Sequence, residues 1–236
     1  MRIAAIADLH FGKSSAGTLL PTLSQITTDA DVLLIAGDLT DYGTAEEARG
    51  LAKELAASVR IPIVAVLGNH DFESGAEADV RRIMEDQGVL MLDGDTCEVQ
   101  GVGFAGVKGF AGGFGRRALG PWGEQVIKLF VHEAVNETLK LESALARLRN
   151  EKKIVLLHYA PVESTVEGEP REIYPYLGSS RLEEPLGHYS VNAVFHGHAH
   201  NGSPEGHTIG NIPVYNVSLP LLRRTNSDRP VRILEI

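Results

Sequence analysis

The sequence is poor in cysteine, in long apolar runs and in basic residues, and each shortage excludes a class of protein. One cysteine, Cys97, cannot form an intramolecular disulfide or a zinc site built from paired thiolates. The longest apolar runs, such as residues 61–67, are far shorter than the roughly 18 residues that a membrane helix needs. We therefore expect a protein that crosses no membrane and, because it lacks a disulfide framework, resides in the cytoplasm.

The shortage of basic residues bears on the binding partner. The chain has 22 Lys and Arg against 31 Asp and Glu, which gives a formal net charge of −9. A charge of that sign repels a phosphate backbone, so extended nucleic acid is not an expected partner. What the chain does have is an ordinary globular composition, with 43% hydrophobic and 22% charged residues in a length of 236. We expect a single domain over residues 1–236, and the sequence does not specify its oligomeric state.

Short runs rich in β-branched residues alternate with helical patterns, which indicates an α/β fold. The apolar part of the N-terminal segment is too short for a signal peptide, so we interpret it as a first strand. The predicted strands are residues 3–7, 32–36, 61–67, 154–157, 191–195, 209–217 and 231–236.

Two segments carry helical spacing. Residues 44–58 open with a Thr-x-x-Glu capping box formed by Thr44 and Glu47. Residues 123–148 place apolar side chains, from Val126 and Ile127 to Leu148, on roughly one face. We expect this face to cover a sheet.

Glycine is concentrated between residues 100 and 120, where no core helix tolerates it. For residues 100–107 we favour a strand pair with tight turns. For residues 108–120 two interpretations stay open, a long surface loop and a mobile flap over a ligand. The neighbouring Arg116 and Arg117 either bind a second phosphate of a substrate or belong to a solvated surface.

Polar side chains with known chemistry follow five of the predicted strands directly. In an α/β sheet, side chains at these positions meet in a crevice at the strand ends, so we expect them to converge. Each group alone is a weak signal, but the ordered set is not explained by chance. The groups are Asp8-x-His10, Asp38-x-x-Asp41, Asn69-His70-Asp71, His158 and His198-x-His200.

Glycine precedes Asp38, Asn69 and His198, as a close approach of the backbone requires. With its ordered motifs D-x-H, G-D-x-x-D, G-N-H-D/E, a lone H and G-H-x-H, the chain resembles the calcineurin-like metallophosphoesterase superfamily across residues 8–200. The resemblance implies a four-layer α/β/β/α sandwich of two mixed sheets with a two-metal site at the strand ends.

Carried over residue by residue, the resemblance also implies a ligand set. Asp8, His10 and His200 hold the first metal, Asn69, His158 and His198 hold the second, and Asp38 bridges the two. Imidazole, carboxylate and amide oxygen without thiolate suit two divalent ions such as Mn, Fe, Zn or Co, and the sequence does not choose among them. A carboxylate between the ions offsets their repulsion, which is the part expected of Asp38.

The implied chemistry is hydrolysis of a phosphate ester. The metals lower the pKa of a bound water so that hydroxide attacks phosphorus, and His70 donates a proton to the departing oxygen. Asp41 is the expected carboxylate partner that orients His70. For Asp71 we weigh two interpretations, support of the loop from behind the ligands and the N-cap of a following helix. The remaining histidines, His132, His188, His196 and His207, are interpreted as structural or surface residues.

Departures from particular subfamilies narrow the function. Tyr42-Gly43 stands where serine/threonine protein phosphatases carry Arg-Gly, and His70 stands where lipid A pathway pyrophosphohydrolases usually carry Arg. The charge of −9 fits poorly with the recombination nucleases. The resemblance therefore implies an enzyme that hydrolyses phosphodiesters or phosphomonoesters of small molecules. The alternatives are a cyclic nucleotide phosphodiesterase specifically and a catalytically inactive binding scaffold of the same fold.

Overall fold

Two mixed β-sheets pack face to face at the centre of the molecule. The structure is a computed structural model that describes the backbone of residues 1–236 and every side chain except that of Arg117. The strands are β1 (Arg2–Ile6), β2 (Val32–Ala36), β3 (Ile63–Val66), β4 (Leu90–Met91), β5 (Asp95–Val99), β6 (Val102–Gly106), β7 (Lys152–Leu156), β8 (Ala193–His196), β9 (Glu205–His207), β10 (Pro213–Asn216) and β11 (Arg232–Glu235).

The first sheet has the order β11-β1-β2-β3-β4 and the second has the order β5-β6-β7-β8-β10-β9. In each sheet the inner strands run parallel and antiparallel partners lie at the edges, β11 in the first sheet and β5 and β9 in the second. Parallel strands end at the same edge of a sheet, so the loops that follow β1, β2, β3, β7 and β8 come together.

Helices form the two outer layers. They are α1 (Leu20–Asp29), α2 (Ala45–Ser58), α3 (Glu77–Asp86), α4 (Gln125–Arg147), α5 (Tyr174–Leu177) and α6 (Leu219–Thr225). Residues of α1, α2 and α3 share one core with the first sheet, and residues of α4 share a second core with the outer face of the second sheet. The four-layer α/β/β/α sandwich predicted from the motifs is thereby confirmed.

Alternation along the strands assigns their side chains to the two cores. On β7, Ile154 and Leu156 face the first sheet, whereas Val155 faces α4. This period of two is what a strand buried on both faces requires. No helix in the described chain is long and apolar enough to span a bilayer.

The capping box predicted at the start of α2 is present. Thr44 Oγ1 accepts a hydrogen bond from the Glu47 backbone N–H, and Glu47 Oε2 accepts one from the Thr44 backbone N–H. Glu47 is buried and its Oε2 also accepts from the backbone N–H of Tyr42. The cap therefore ties the loop after β2 to the next helix.

The apolar face predicted for α4 is correct only for its later turns. Leu141 and Leu145 are fully buried, but Val126 is 68% exposed and Ile127 is 40% exposed. The prediction is wrong for the first turns because residues 121–129 are all exposed, with no layer of the described chain packed on them.

The glycine-rich segment divides at residue 107. Strands β5 and β6 form a hairpin whose turn residues, Gln100 and Gly101, both have positive φ, as a tight two-residue turn needs. The following residues 109–113 are mostly buried and hydrogen-bonded to the body: Gly112 N–H donates to Pro175 O at 2.7 Å and Gly113 N–H to Gly178 O at 2.8 Å. For these residues, the anchoring favours the loop interpretation and disfavours a mobile flap.

The end of the chain differs from the prediction in its detail. Strand β10 begins at Pro213 rather than at residue 209, since Ile209 is almost fully exposed in the preceding turn. Strand β9, which pairs antiparallel with β10, was not predicted because its sequence Glu205-Gly206-His207 has no apolar pattern.

Candidate metal centre

The five loops bring Asp and His side chains into three overlapping groups. Within each group the possible ligand atoms all lie within 4.8 Å of one another. The groups are Asp8 with His10 and His200, Asp38 with His158 and His198, and His10 with Asp38 and His70. The third group shares one member with each of the others, so the two halves form one continuous cluster.

The first half holds the residues predicted for the first metal. His200 Nε2 lies 3.3 Å from Asp8 Oδ1 and 3.4 Å from His10 Nε2. The Asp8 carboxylate is buried and also accepts a hydrogen bond from the His198 backbone N–H. Three ligand atoms from the first and last motifs therefore point at one place.

The second half holds the residues predicted for the second metal. His158 Nε2 lies 2.8 Å from Asn69 Oδ1 and 3.4 Å from Asp38 Oδ1. The other oxygen of Asp38, Oδ2, lies 3.7 Å from His10 Nε2 in the first half. Asp38 thus stands between the two halves, where a bridging carboxylate would have to lie.

Backbone carbonyls fix the orientation of three histidine rings. His158 Nδ1 lies 3.0 Å from Ala36 O, His198 Nε2 lies 3.1 Å from Tyr176 O, and His70 Nδ1 lies 2.7 Å from Asp41 O. A carbonyl only accepts, so the nitrogen that faces it carries the hydrogen. In the neutral ring the other nitrogen keeps its lone pair, and for His158 that nitrogen faces Asp38 and Asn69.

Asp41 contacts His70 in a different way from the prediction. Its backbone carbonyl, not its carboxylate, accepts the hydrogen bond from His70. The Asp41 carboxylate instead has Oδ1 3.6 Å from Nδ1 of His10. The sequence motif identified the right residue beside His70 but assigned the contact to the wrong group, because a motif does not distinguish side chain from backbone.

Asp71 lies behind the ligands and supports the loops that carry them. Its carboxylate is fully buried and accepts hydrogen bonds from the backbone N–H groups of Leu39, Thr40 and Gly68 and from the Thr40 hydroxyl. The N-cap interpretation is wrong, since α3 has Ala76 at that position. Asp71 therefore joins the loop after β2 to the loop after β3.

Three histidines of the cluster are held neutral, whereas the hydrogen bond with Asp8 raises the pKa of a fourth, His200. Burial is the main cause that lowers the pKa of His10 to about 4, of His158 to about 4 and of His198 to about 3. A neutral imidazole is the form that binds a metal ion. These rings are therefore ready as ligands at neutral pH.

The two buried carboxylates differ in their proton affinity. Burial, followed by the nearby charge of Asp8, raises the pKa of Asp38 to about 7. Burial also acts to raise the pKa of Asp8, but its hydrogen bond with His200 and the neighbouring histidines bring that pKa below its ordinary value. Two carboxylates so close together are stabilised by a positive charge between them.

The backbone is strained where it presents the ligands. Asp8, His10, Asp38 and His198 all have positive φ, between 43° and 68°, which non-glycine residues seldom adopt. At Gly68 an added Cβ would overlap Asp38 Oδ1, so only glycine fits between β3 and the Asp38 carboxylate. The close approach predicted for this glycine is confirmed.

The donor set fits two divalent cations. It offers imidazole nitrogens, carboxylate oxygens and one amide oxygen, and it includes no thiolate. Among the described side chains, no lysine or arginine nitrogen lies within 4 Å of the carboxylate oxygens of Asp8 or Asp38. The site therefore has the negative charge and the open nitrogens that bound cations would satisfy.

The structure does not bring the predicted arginines into this cluster. Arg116 is exposed on a 3₁₀ turn, and it has no hydrogen bond or ion pair with a site residue among the described side chains. The side chain of Arg117 lies outside the described part of the chain. His132, His188 and His207 are exposed, whereas His196 is buried.

Sequence reasoning missed the groups that position the ligands. The carbonyls of Ala36 and Tyr176 leave no signal in the residue type, since every residue carries one. Tyr159 packs its ring 4.5 Å from the His198 ring and 5.4 Å from the His158 ring. Its place directly after His158 at a strand end was the one available signal.

Comparison with known proteins shows the class of this molecule. A family model described as Calcineurin-like phosphoesterase matches residues 1–202. The chain therefore belongs to the calcineurin-like phosphoesterase family. The resemblance inferred from the five motifs is confirmed.

Two particular proteins are similar to it. The chain is 25% identical over 185 residues to the Arcobacter nitrofigilis protein named Probable glycerophosphodiester phosphodiesterase GpdQ, a match that covers 77% of this chain and 60% of that relative. The chain thus spans less than two thirds of the relative's length. The crystal structure of TT1561 of Thermus thermophilus aligns over 99% of this chain and 98% of that one, with a TM-score of 0.57 at 15% identity, and shares its fold.

Proposed function

We propose that this protein is a two-metal hydrolase of phosphate esters of small molecules. The observation that carries the proposal is the paired cluster, in which each half brings histidine nitrogens together with the oxygens of a buried carboxylate. The seven ligands are those that the motifs imply: Asp8, His10 and His200 in one half, Asn69, His158 and His198 in the other, and Asp38 between them.

The chain's own contribution to catalysis is position and charge. When bound, two divalent cations such as Mn, Fe, Zn or Co would supply charge that polarises the phosphoryl group and activates water. Four ligand residues keep a strained backbone with positive φ in the folded protein. The positions of their side chains are therefore set before substrate binds. The buried carboxylates keep the site attractive to cations and, once these are bound, open to an anionic phosphate.

His70 is assigned the role of general acid. Its Nδ1–H is held by the Asp41 carbonyl, which leaves Nε2 as the atom from which the protonated ring donates. Its ring lies edge-on to the His10 ring, with centroids 4.5 Å apart, and its backbone N–H donates to Asp38 Oδ1. His70 therefore contacts the first half of the cluster through His10 and the second half through Asp38.

Two further observations narrow the proposed function. The name of the Arcobacter relative supports a phosphodiester as the substrate, with a phosphomonoester and a cyclic nucleotide as the alternatives. An inactive binding scaffold is not favoured, because all seven ligand positions and His70 carry the residues that the chemistry needs.

The choice of leaving group tests the role of His70. An alkoxide needs a proton to depart, whereas a nitrophenolate is a stable anion near neutral pH and gains little from one. His70→Asn should retain both metals by elemental analysis and lose about 10²- to 10⁴-fold in kcat on an alkyl ester, with a much smaller loss on a nitrophenyl ester.

The outcomes of that experiment separate three roles. An equal loss on both esters with the metals retained would mean that His70 positions phosphate. Loss of a metal would make His70 a ligand, as its membership in the group with His10 and Asp38 allows. Activity that survives Asp38→Ala unchanged would contradict the two-metal proposal itself.

A further inference from the structure

A cavity of about 560 Å³ opens directly beside the candidate metal centre. It lies between the loop after β1 and the loop that joins β2 to α2, and its wall includes two residues that face the cluster, His10 and Asp41. Its other chemically active lining residues are Lys13, Ser14, Tyr42 and Glu47. The cavity is far larger than one phosphate group, so it has room for a second part of the substrate.

We propose that this cavity, called here the alcohol pocket, binds the leaving alcohol of the ester, and that this alcohol is a neutral polyol or sugar. The proposal rests on the proposed function, because it uses His70 as the acid that protonates the departing oxygen. It adds the place of the leaving group, the residues that select it and the chemical class that they select.

His70 does not line the alcohol pocket itself, but its contacts with the pocket wall support a leaving group on this side. The leaving oxygen must lie within hydrogen-bond reach of the acid. His70 touches two wall residues of the alcohol pocket, since its ring packs on His10 and its Nδ1–H donates to Asp41 O. By contrast, the cavity of about 240 Å³ beside Phe72 and Lys108 has none of the seven proposed ligands in its wall.

The charge in the pocket disfavours a second anionic group. One ammonium, Lys13, stands against two carboxylates, Asp41 and Glu47, and all three line the same cavity. An alcohol that carried a further phosphate or carboxylate would add a negative charge to a wall that is already net negative. A neutral alcohol avoids this repulsion.

The free polar groups fit hydroxyl groups. The Asp41 side chain is 38% exposed, so its oxygens are open to accept from an alcohol hydroxyl, and the exposed Ser14 hydroxyl both donates and accepts. Glu47 is already occupied by backbone N–H groups, and Ser15 Oγ accepts from the Gly12 N–H at 3.0 Å. The Asp41 carboxylate and the Ser14 hydroxyl therefore remain open to the hydroxyls of a polyol.

Tyr42 supplies the apolar part of the recognition. Its side chain is 61% exposed although its backbone is fixed by the hydrogen bond to Glu47. An exposed aromatic face on a rigid backbone packs against the C–H face of a polyol or sugar at little entropic cost.

The test compares esters that differ only in the leaving alcohol: methyl, glycerol and phosphorylated glycerol. Tyr42→Ala and Ser14→Ala should each raise KM for the glycerol ester about tenfold, because each removes a contact that is equally strong in the bound substrate and in the transition state. The kcat, the metal content and the KM for the methyl ester should stay unchanged. Trp122→Ala, at an aromatic residue that is 79% exposed far along the chain, is the matched control.

The charge argument has its own variant. Ser14→Lys adds a second ammonium to the pocket and should lower KM for the phosphorylated glycerol ester several-fold relative to the glycerol ester. If the pocket variants change KM equally for the methyl and glycerol esters, or not at all, the pocket is overturned while the proposed function stands. If the wild-type protein hydrolyses no phosphate ester, the proposed function fails and the pocket fails with it.

Discussion

The histidines of the candidate metal centre owe their orientation to the backbone. Three of them, His70, His158 and His198, each donate to the carbonyl oxygen of a residue that is distant along the chain. Such a contact fixes both the direction of the ring and the nitrogen that stays free, which is the role that outer carboxylates often play at metal sites. Because side-chain variants do not remove a carbonyl, this support withstands substitution at Ala36, Asp41 and Tyr176.

Asp41 tests that view at a single residue. Asp41→Asn keeps the carbonyl that holds His70 but weakens the carboxylate that lies 3.6 Å from His10 Nδ1. We expect affinity for the first metal to fall about tenfold, with the ratio of alkyl-ester to nitrophenyl-ester rates unchanged. Metal titration followed by both assays measures this. A loss confined to the alkyl ester would contradict this prediction. It would mean that the Asp41 carboxylate orients His70, as the sequence predicted.

His196 is a second residue whose effect depends on pH. It is fully buried, its Nδ1–H donates to Gly197 O, and its Nε2 lies 2.8 Å from Thr165 Oγ1. Burial lowers its pKa from 6.5 to about 4, so the unfolded chain takes up a proton between these values before the folded protein does. The stability it contributes is therefore present above pH 6.5 and is lost as pH falls toward 4.

The variant His196→Asn keeps a donor for Gly197 O but does not titrate. Between pH 7 and pH 5, the chelated wild-type protein should lose on the order of 2 kcal/mol more unfolding free energy than this variant. Denaturant unfolding at both pH values in the presence of a chelator measures the difference. Equal losses in the two proteins would show that His196 already shares a proton in the folded state.

At the scale of the elements, the sequence predicts those features that local pattern determines. The β-branched runs identify the cores of β1, β2, β3, β7 and β8 to within about two residues, and the capping box places the start of α2 correctly. The same pattern fails for the first turns of α4, since periodicity gives the apolar face of a helix but not the extent of the layer that covers it.

In the candidate site, too, the sequence predicts what local pattern determines and misses what depends on tertiary packing. The ligand residues come together because each stands at the end of a parallel strand, and strand ends are visible in the sequence. The contacts with Ala36 O and Tyr176 O and the direction of the Asp41 carboxylate depend on the packing of segments that are distant along the chain. No local pattern encodes those contacts.

Gly68, in the loop that follows β3, provides a test at this scale. Gly68→Ala would drive a methyl group into the Asp38 carboxylate and the His158 ring, so it should abolish binding of the second metal and lower the unfolding free energy by about 2 kcal/mol or more. Gly187→Ala is the matched control, because an added Cβ there meets nothing within 4 Å. Full metal content in Gly68→Ala would mean that the loop relaxes and that the close approach is not required.

At the scale of the whole molecule, the candidate metal centre joins the two sheets. Asp8, Asp38 and Asn69 follow strands of the first sheet, and His158 and His198 follow strands of the second. Cations held by both sets would bind the folded chain and not the unfolded one, since the unfolded chain does not bring the five loops together. Metal binding should therefore appear as stability of the sandwich as a whole.

Thermal unfolding with Mn²⁺ as the probe measures this linkage. At a free concentration of about 100 times Kd, one bound ion stabilises by about 2.7 kcal/mol, which for a chain of this size raises Tm by roughly 5 to 10 °C over the chelated protein. Asp38→Asn should lose most of that rise, whereas Asp79→Asn, at a surface carboxylate whose side chain is 55% exposed, should keep it.

Without metal, the order of Tm between the wild-type protein and Asp38→Asn should be reversed. Burial and Asp8 raise the pKa of Asp38 to about 7, so the folded protein binds the Asp38 proton more tightly than the unfolded chain does. The stability contributed by the protonated form is fully present below about pH 4 and lost as pH rises to 7, and at pH 8 the bare carboxylate destabilises the fold.

Asp38→Asn removes that charge and keeps an oxygen for the His70 backbone N–H, so at pH 8 with chelator its Tm should equal or exceed that of the wild-type protein. A variant that is less stable than the wild-type protein both with chelator and with Mn²⁺ would mean that Asp38 serves the fold rather than the metals.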